Sequence, residues 1–224
     1  MRDHLGREVL ASDWRFARDV LFLDDCQGTF NWEVTSTGEP DIHEYNTVWP
    51  LSGVKGLMLQ TRSVGQAPGD YVQVARHLSF PESEQLVVRC RLALGTPVRA
   101  EYGEVRAVVR NGGREYHGAF SCWPNVPAQR YLDAAGAWQP LPGMGFAIVD
   151  GGAYVCEFVL DARTMQYVAM QFGGVRTSLA GVALHDHAAS ADRGVSLVLR
   201  VVTAGAAVAS LYAGSFYVGE IGEG

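Results

Sequence analysis

The sequence has 224 residues, of which 48% are hydrophobic and 19% are charged. This balance favours a folded chain with a sizeable core and argues against disorder. The net charge of −6 disfavours nucleic acid or an anionic membrane as the main partner, because phosphate binding needs clustered Lys and Arg. The 26 glycines, against 9 prolines, are typical of many short strands joined by turns.

Residues 1–19 are predicted to form an N-terminal arm that precedes a single domain over residues 20–224. Leu10 and Trp14 fall at helical spacing, and Ser12 or Asp13 could cap a turn or two of helix. No apolar run of the signal-peptide type follows the charged start, so we expect the chain to be made and folded in the cytoplasm. The pattern leaves open whether the arm covers its own domain or grasps a neighbouring subunit.

From residue 20 onward the alternation of apolar and polar residues predicts strands. The clearest case is Leu86–Leu94, where every second residue is apolar while Arg89 and Arg91 fall on the other face. Asn111-Gly112-Gly113 predicts a hairpin turn, because glycine readily takes a positive φ there. A second tight turn is predicted at Asp133–Gly136. About twelve strands at this spacing predict one antiparallel sandwich or barrel.

The four cysteines are predicted to be buried free thiols. They lie at least 30 residues apart with no CxxC pair, a spacing that disfavours a zinc site. Their neighbours are apolar and strand-like, which is where free cysteine is usually buried. The four residues are Cys26, Cys90, Cys122 and Cys156.

Two stretches resemble the concanavalin-A-like and laminin-G-like jelly rolls. The first comprises residues 21–26, 30–33, 53–61 and 69–76, and the second comprises residues 156–174 with the closing Ser215–Ile221. The resemblance implies an all-β, antiparallel jelly-roll β-sandwich. It also implies that Asp161 ends one strand, that Tyr167 opens its hairpin partner, and that the last strand returns beside the first. Related domains are lectins, carbohydrate-binding modules, glycosidases and phage decoration proteins, so the likeness predicts fold better than function.

Catalytic motifs are missing from the sequence. A glycosidase needs two carboxylates in one cleft, and the Glu-x-Asp-x-x-Glu run of the jelly-roll glucanases is absent. Glu101 and Glu104 have an odd spacing, which places them on opposite faces of a strand. No Ser-His-Asp or Cys-His signature is present. We therefore expect the protein not to be an enzyme.

Two metal hypotheses follow from the sequence, although no cofactor is expected otherwise. His185-Asp186-His187, in a predicted exposed loop, could offer two imidazoles but would need a third ligand from elsewhere. Asp24 and Asp25 could form a calcium site with Glu220 if the first and last strands are neighbours. Solvated carboxylates at a strand end are the alternative to the second hypothesis.

Aromatic residues could stack on sugar rings, and Trp49 and Trp123 lie beside predicted loops; burial in the core is the favoured alternative, and packing at an interface is another. The candidates for a carbohydrate site are Trp49, Trp123, Tyr131 and Trp138.

Three functions remain open at this point. The first is a non-catalytic phage virion protein, such as a capsid decoration protein, which acts through protein partners in a homo-oligomer or larger assembly. The second is a lectin-like carbohydrate-binding module, and the third and weakest is a jelly-roll glycoside hydrolase. The acidic charge and the single lysine, Lys55, favour the first.

Overall fold

The computed structural model describes residues 17–37, 42–47, 55–61, 67–78, 85–95, 100–124, 126, 129–145, 148–149, 152–189, 192–205 and 208–221. Residues 1–16, with the predicted helical turn, lie outside this set, and so does Trp49. The first strand begins at Ala17, so residues 17–19 are part of a sheet. No helix long and apolar enough to cross a membrane occurs among the described residues.

Sheet I contains eight of the strands in the described part of the chain. They are β1 (Ala17–Asp24), β3 (Ile42–Asn46), β4 (Gly56–Gln60), β6 (Gln85–Leu94), β11 (Tyr154–Asp161), β12 (Gln166–Phe172), β13 (Val175–Ser178) and β16 (Ser210–Ile221). Their order is β13-β12-β11-β6-β16-β4-β3, and β1 pairs with the end of β16 that β4 leaves free. The last strand therefore returns beside the first, as the resemblance implied.

Sheet II contains the other eight described strands. They are β2 (Glu33–Ser36), β5 (Tyr71–Leu78), β7 (Ala100–Asn111), β8 (Arg114–Cys122), β9 (Arg130–Leu132), β10 (Trp138–Pro140), β14 (His185–Ala188) and β15 (Gly194–Thr203). Their order is β10-β9-β8-β7-β15-β5-β2, and β14 pairs with β8. Every pairing in both sheets is antiparallel, which confirms the predicted all-β sandwich.

Both predicted turns are present, and glycine conformation explains them. Gly112 and Gly113 have φ values of +63° and +77° between β7 and β8. Gly136 has a φ of +80° in the turn that joins β9 to β10. The carboxylate of Asp133 accepts backbone hydrogen bonds from Ala135 at 3.0 Å and Ala137 at 2.8 Å, which fixes the second turn.

The core lies between the two sheets and takes every second residue of the long strands. In β6 the apolar set predicted from alternation is buried there, while Arg89 and Arg91 leave from the other face. Tyr167 of sheet I reaches across the core to bond the backbone of sheet II. All four cysteines are buried and free, as predicted.

One predicted loop is a strand. Residues His185–Ala188 form β14 and pair with Arg114–His117 of β8. The polar His-Asp-His run carries no apolar alternation, and for that reason a loop was predicted. The prediction of a loop was wrong, although Asp186, His187 and Ala188 are exposed as expected. The physical reason lies in β8, which β9 covers only at Phe120 and Ser121 and which therefore leaves backbone groups for another strand to pair.

Candidate functional site

The outer face of sheet II carries polar, charged and aromatic side chains at its centre. On β7, Val105, Ala107 and Val109 are buried in the core. Because side chains alternate along a strand, the intervening residues project from the opposite face of the sheet. The β7 residues on this outer face are Tyr102, Glu104, Arg106, Val108 and Arg110.

The strand register aligns five polar side chains, one from each of five neighbouring strands, in a row across this face of the sheet. We call them the polar row. From β9 to β5 it runs Arg130, Ser121, Glu104, Arg200, Gln73. Neighbouring strands lie about 4.8 Å apart, so the backbones of Arg130 and Arg200, three strands apart, are separated by about 14 Å. The row is long enough to contact more than one ring of an extended ligand.

Glu104 is the buried anion of the polar row, with 0% of its surface exposed. One carboxylate oxygen accepts a hydrogen bond from Nε of Arg106 in an ion pair. The other oxygen, Oε2, has no hydrogen-bond partner. A buried carboxylate needs compensating charge. Arg106 and the facing Arg200 on β15 supply that charge, and Glu104 in turn holds Arg106 in place.

Three arginines on this face have guanidinium N–H groups for which no described residue is the hydrogen-bond acceptor. Arg130 lies with its guanidinium 4.3 Å from the ring centroid of Trp123 and donates no hydrogen bond within the described structure. Arg200 donates to Gln73 through Nε at 2.9 Å and Nη2 at 2.5 Å, which leaves Nη1. Arg106 uses Nε and Nη1, which leaves Nη2.

Three aromatic rings adjoin one end of the polar row. Tyr102 and Trp123 are stacked, with ring centroids 4.8 Å apart and planes 26° apart. Trp138, on β10, lies 5.7 Å from Tyr102 at an angle of 59°. Trp123 has Tyr102 on one face and Arg130 on the other, whereas Trp138 is half-buried with no described partner for its indole N–H. Trp138 is therefore the ring best placed to meet a ligand.

Burial and nearby charge keep His117 neutral. The side chain is 11% exposed, and this burial, together with the charge of Arg106, lowers the pKa of His117 to about 4. Arg106 Nη1 lies 3.0 Å from Nδ1, so Nδ1 accepts and Nε2–H donates to Glu115 Oε2 at 3.2 Å. The pair Arg110–Glu115, at 2.7 Å, continues this network.

The metal hypothesis required a third ligand, and the structure brings His117 close to His185 and His187, but the three imidazoles are not arranged as ligands. The ring of His117 lies 4.8 Å from that of His187 and 6.1 Å from that of His185. Both nitrogens of His117 are already engaged, and Nδ1 of His185 lies 2.9 Å from the carbonyl of Ala134. Within the described ranges, no group of three or more His, Cys, Asp or Glu residues could hold a metal ion.

The proposed calcium ligands are not brought together either. Asp24 pairs with Phe216 on β16, whereas Glu220 lies four residues further along that strand, opposite Asp19. The backbones of Asp24 and Glu220 are therefore offset by about 13 Å along β16. The carboxylate of Asp24 accepts hydrogen bonds from the backbone of Cys26 at 2.7 Å, the indole of Trp32 at 3.1 Å and the hydroxyl of Tyr45. The carboxylate of Asp25 accepts from the backbone of Gln27 at 3.1 Å.

The four predicted aromatic site residues have three different placements. Trp123 and Trp138 lie together on the outer face of sheet II, where both contact Tyr102. Tyr131 packs against the core, edge-to-face with Tyr167 at 5.8 Å. Trp49 lies outside the described residues.

Sequence reasoning missed Tyr102 and the arginines of the outer face. The signal was present in β7, where Tyr102, Glu104 and Arg106 alternate with small or apolar residues. Alternation showed that these residues leave the core together. It could not show that Arg130 and Arg200 meet them, because that depends on pairings between distant strands.

No protein-family model matches the sequence, and no curated protein sequence matches it. Among solved structures, the cellulose-induced protein Cip1 matches with a TM-score of 0.55 and 10% identity, over 91% of this chain and 100% of the other. An endo-acting O-glycanase of the human gut microbiota, expressed to initiate mucin breakdown, matches with a TM-score of 0.55 and 12% identity, over 91% of this chain and 100% of the other. An alginate lyase in complex with an alginate trisaccharide matches with a TM-score of 0.53 and 10% identity, over 91% of this chain and 99% of the other. At such identities the likeness shows the fold alone, and that fold is the jelly-roll β-sandwich.

Proposed function

We propose that this protein binds a glycan on the outer face of sheet II. The observation that carries the proposal is the combination of Trp138 and Tyr102 with unpaired donors on Arg106, Arg130 and Arg200. Sugar rings present apolar C–H patches, which pack on aromatic faces, and hydroxyl groups, which accept hydrogen bonds from such donors. Rings and donors on one rigid sheet meet both requirements.

The structural comparisons support a glycan more than a virion role. One similar structure is an alginate lyase with bound alginate, one is a mucin O-glycanase, and one is named for its induction by cellulose. These proteins share the fold with this chain, and a shared fold does not by itself transfer a ligand. The virion role with protein partners, which composition favoured, stays a prediction that a mass measurement in solution would test.

We propose binding without hydrolysis of the glycan. Hydrolysis needs two carboxylates about 5–10 Å apart on the sugar. Glu104 is fully buried in its ion pair with Arg106, and Glu115 is engaged by Arg110 and His117. The guanidinium of Arg106 and the imidazole of His117 lie between the two carboxylates, since Arg106 bonds Glu104 and His117, and His117 bonds Glu115.

A glycan array with the purified protein tests this function, followed by titration of the best ligand into three variants. Trp138→Ala should weaken binding at least about tenfold, whereas Trp138→Phe, which keeps a ring, should retain most of the affinity. Arg176→Ala is the control, because Arg176 is exposed on the opposite sheet beside Glu157. Absence of binding to every glycan, or equal binding by Trp138→Ala and wild type, would contradict the proposal. Release of reducing ends would contradict binding without hydrolysis.

A further inference from the structure

We infer that the ligand of this face is an acidic glycan, whose carboxylate or sulfate groups pair with the arginines around the polar row. This inference rests on the proposed function and narrows it to one chemical class. It starts from the charges of β7, β8, β9 and β15. On the outer face of these four strands lie Arg106, Arg110, Arg130 and Arg200, against Glu104 and Glu115.

The local charge is opposite in sign to that of the whole chain. Four arginines and two glutamates give +2 on these strands, whereas the protein carries −6. An acidic polymer would be repelled by the protein as a whole and attracted only where positive charge is concentrated. Glu33 adds a negative charge at the edge strand β2, where its carboxylate lies 3.1 Å from Nε2 of His77.

Burial decides which charges a ligand would meet. Glu104 has none of its surface exposed, whereas the Arg106 side chain above it is 18% exposed. The carboxylate is therefore out of reach of a ligand and orients Arg106, whose side chain is the part of this ion pair that solvent reaches. Arg110, like Arg106, already uses two of its nitrogens, because its Nε and Nη1 bond Glu115 at 2.7 Å and Ser196 at 2.8 Å.

Two of the four arginines lie over aromatic rings. Arg130 lies over Trp123 at 4.3 Å, and Arg200 lies over Tyr71 at 4.5 Å. Stacking holds the guanidinium of Arg130 without using its N–H groups, whereas Arg200 also donates to Gln73 through Nε and Nη2 and keeps Nη1 available. Planar N–H pairs match the geometry of carboxylate and sulfate oxygens, and such charge-assisted bonds are about twice as strong as neutral ones. A neutral sugar would accept from these donors only through hydroxyl groups, whose hydrogen bonds are weaker than those of an anion.

Matched ligands test the inference. The probes are galacturonate, mannuronate, guluronate and glucuronate oligosaccharides, their carboxyl-reduced neutral counterparts, and sulfated oligosaccharides. We expect at least one acidic ligand to bind, and its neutral counterpart to bind at least about tenfold more weakly. Affinity should also fall as salt rises from 50 mM to 500 mM, since salt screens exposed charges. The uronate and sulfated sets together identify which anion is recognised.

Variants locate the effect on this face. Arg130→Gln should reduce the preference for the acidic ligand over its neutral counterpart, and Arg130→Lys should restore it only in part, because lysine lacks the planar fork. Arg176→Ala, on the other sheet, should change neither affinity. Thermal unfolding of each variant shows that it is folded.

The outcomes separate this inference from the function beneath it. Equal binding of acidic and neutral counterparts would overturn the acidic-glycan inference and leave glycan binding intact. Binding of no oligosaccharide at all would overturn both. An acidic preference that survives in Arg130→Gln but is lost in Arg176→Ala would overturn the assignment to sheet II.

Discussion

Replacing Tyr167 by Phe tests how the two sheets are joined beneath the candidate site. The Tyr167 hydroxyl accepts a hydrogen bond from Ala119 N at 2.8 Å and donates to the carbonyl of Leu132 at 2.9 Å. Tyr167 is 1% exposed, so water cannot replace it at either group. Leaving a buried backbone N–H and a buried carbonyl unpaired costs about 1–3 kcal/mol each. We expect Tyr167→Phe to lower the free energy of unfolding by about 2–4 kcal/mol.

Urea denaturation followed by tryptophan fluorescence measures this change. With a slope of about 2–3 kcal/mol/M for a domain of this size, the midpoint should fall by about 1 M. Tyr131→Phe is the matched control, because the Tyr131 ring packs edge-to-face on Tyr167 while its hydroxyl bonds no described residue. That control should change stability by less than about 0.5 kcal/mol. Equal effects of the two variants would refute the assigned hydrogen bonds.

Three further predictions concern protonation, turn geometry and thiol burial. Because burial lowers the pKa of His117 from 6.5 to about 4, stability should fall by up to about 3 kcal/mol as pH drops from 6.5 to 4. The loss of stability between pH 6.5 and 4 should be smaller in His117→Gln. An equal loss in this variant and in the wild type would contradict the assignment to His117. Gly136→Ala should lower the free energy of unfolding, measured by urea denaturation, by about 1–2 kcal/mol, because φ is +80° and a Cβ would lie 2.8 Å from the His185 ring. Gly28→Ala is the control and should leave the free energy of unfolding unchanged, because a Cβ there would meet no atom within 4 Å. The four cysteines should resist a thiol reagent in the native protein and all react in denaturant, because all four are buried. Burial also raises the pKa of the Cys26 thiol to about 12, which disfavours the reactive thiolate. Rapid reaction of the native protein would contradict this prediction.

The sandwich was predictable because strong local signals agreed with one another. Alternation in β6 marked a half-buried strand, and the glycines after Asn111 marked a hairpin that the structure contains. The weak elements were those without an apolar pattern. β14 is a strand because β8 offers unpaired backbone, which cannot be read from the sequence of His185–Ala188.

The candidate site was predictable only in part. Trp123 and Trp138 were singled out as aromatic residues that could stack on sugar rings, and the structure places them together. Tyr131 was singled out for the same reason, yet alternation within the short β9 turns it towards the core while Arg130 faces outward. The polar row depends on the register of five strands, which becomes visible only when distant segments are paired.

The most direct test of the glycan-binding face is to locate a bound oligosaccharide by NMR. The chain contains five tryptophans, and their indole N–H signals can be assigned by single substitutions. Trp123 and Trp138 report on the outer face of sheet II, whereas Trp32 is buried and bonded to Asp24, and serves as the internal reference. Titration with the tightest ligand from the array should shift the Trp138 and Trp123 signals and leave that of Trp32 unchanged. Saturation of binding without any shift of Trp123 or Trp138 would contradict the account.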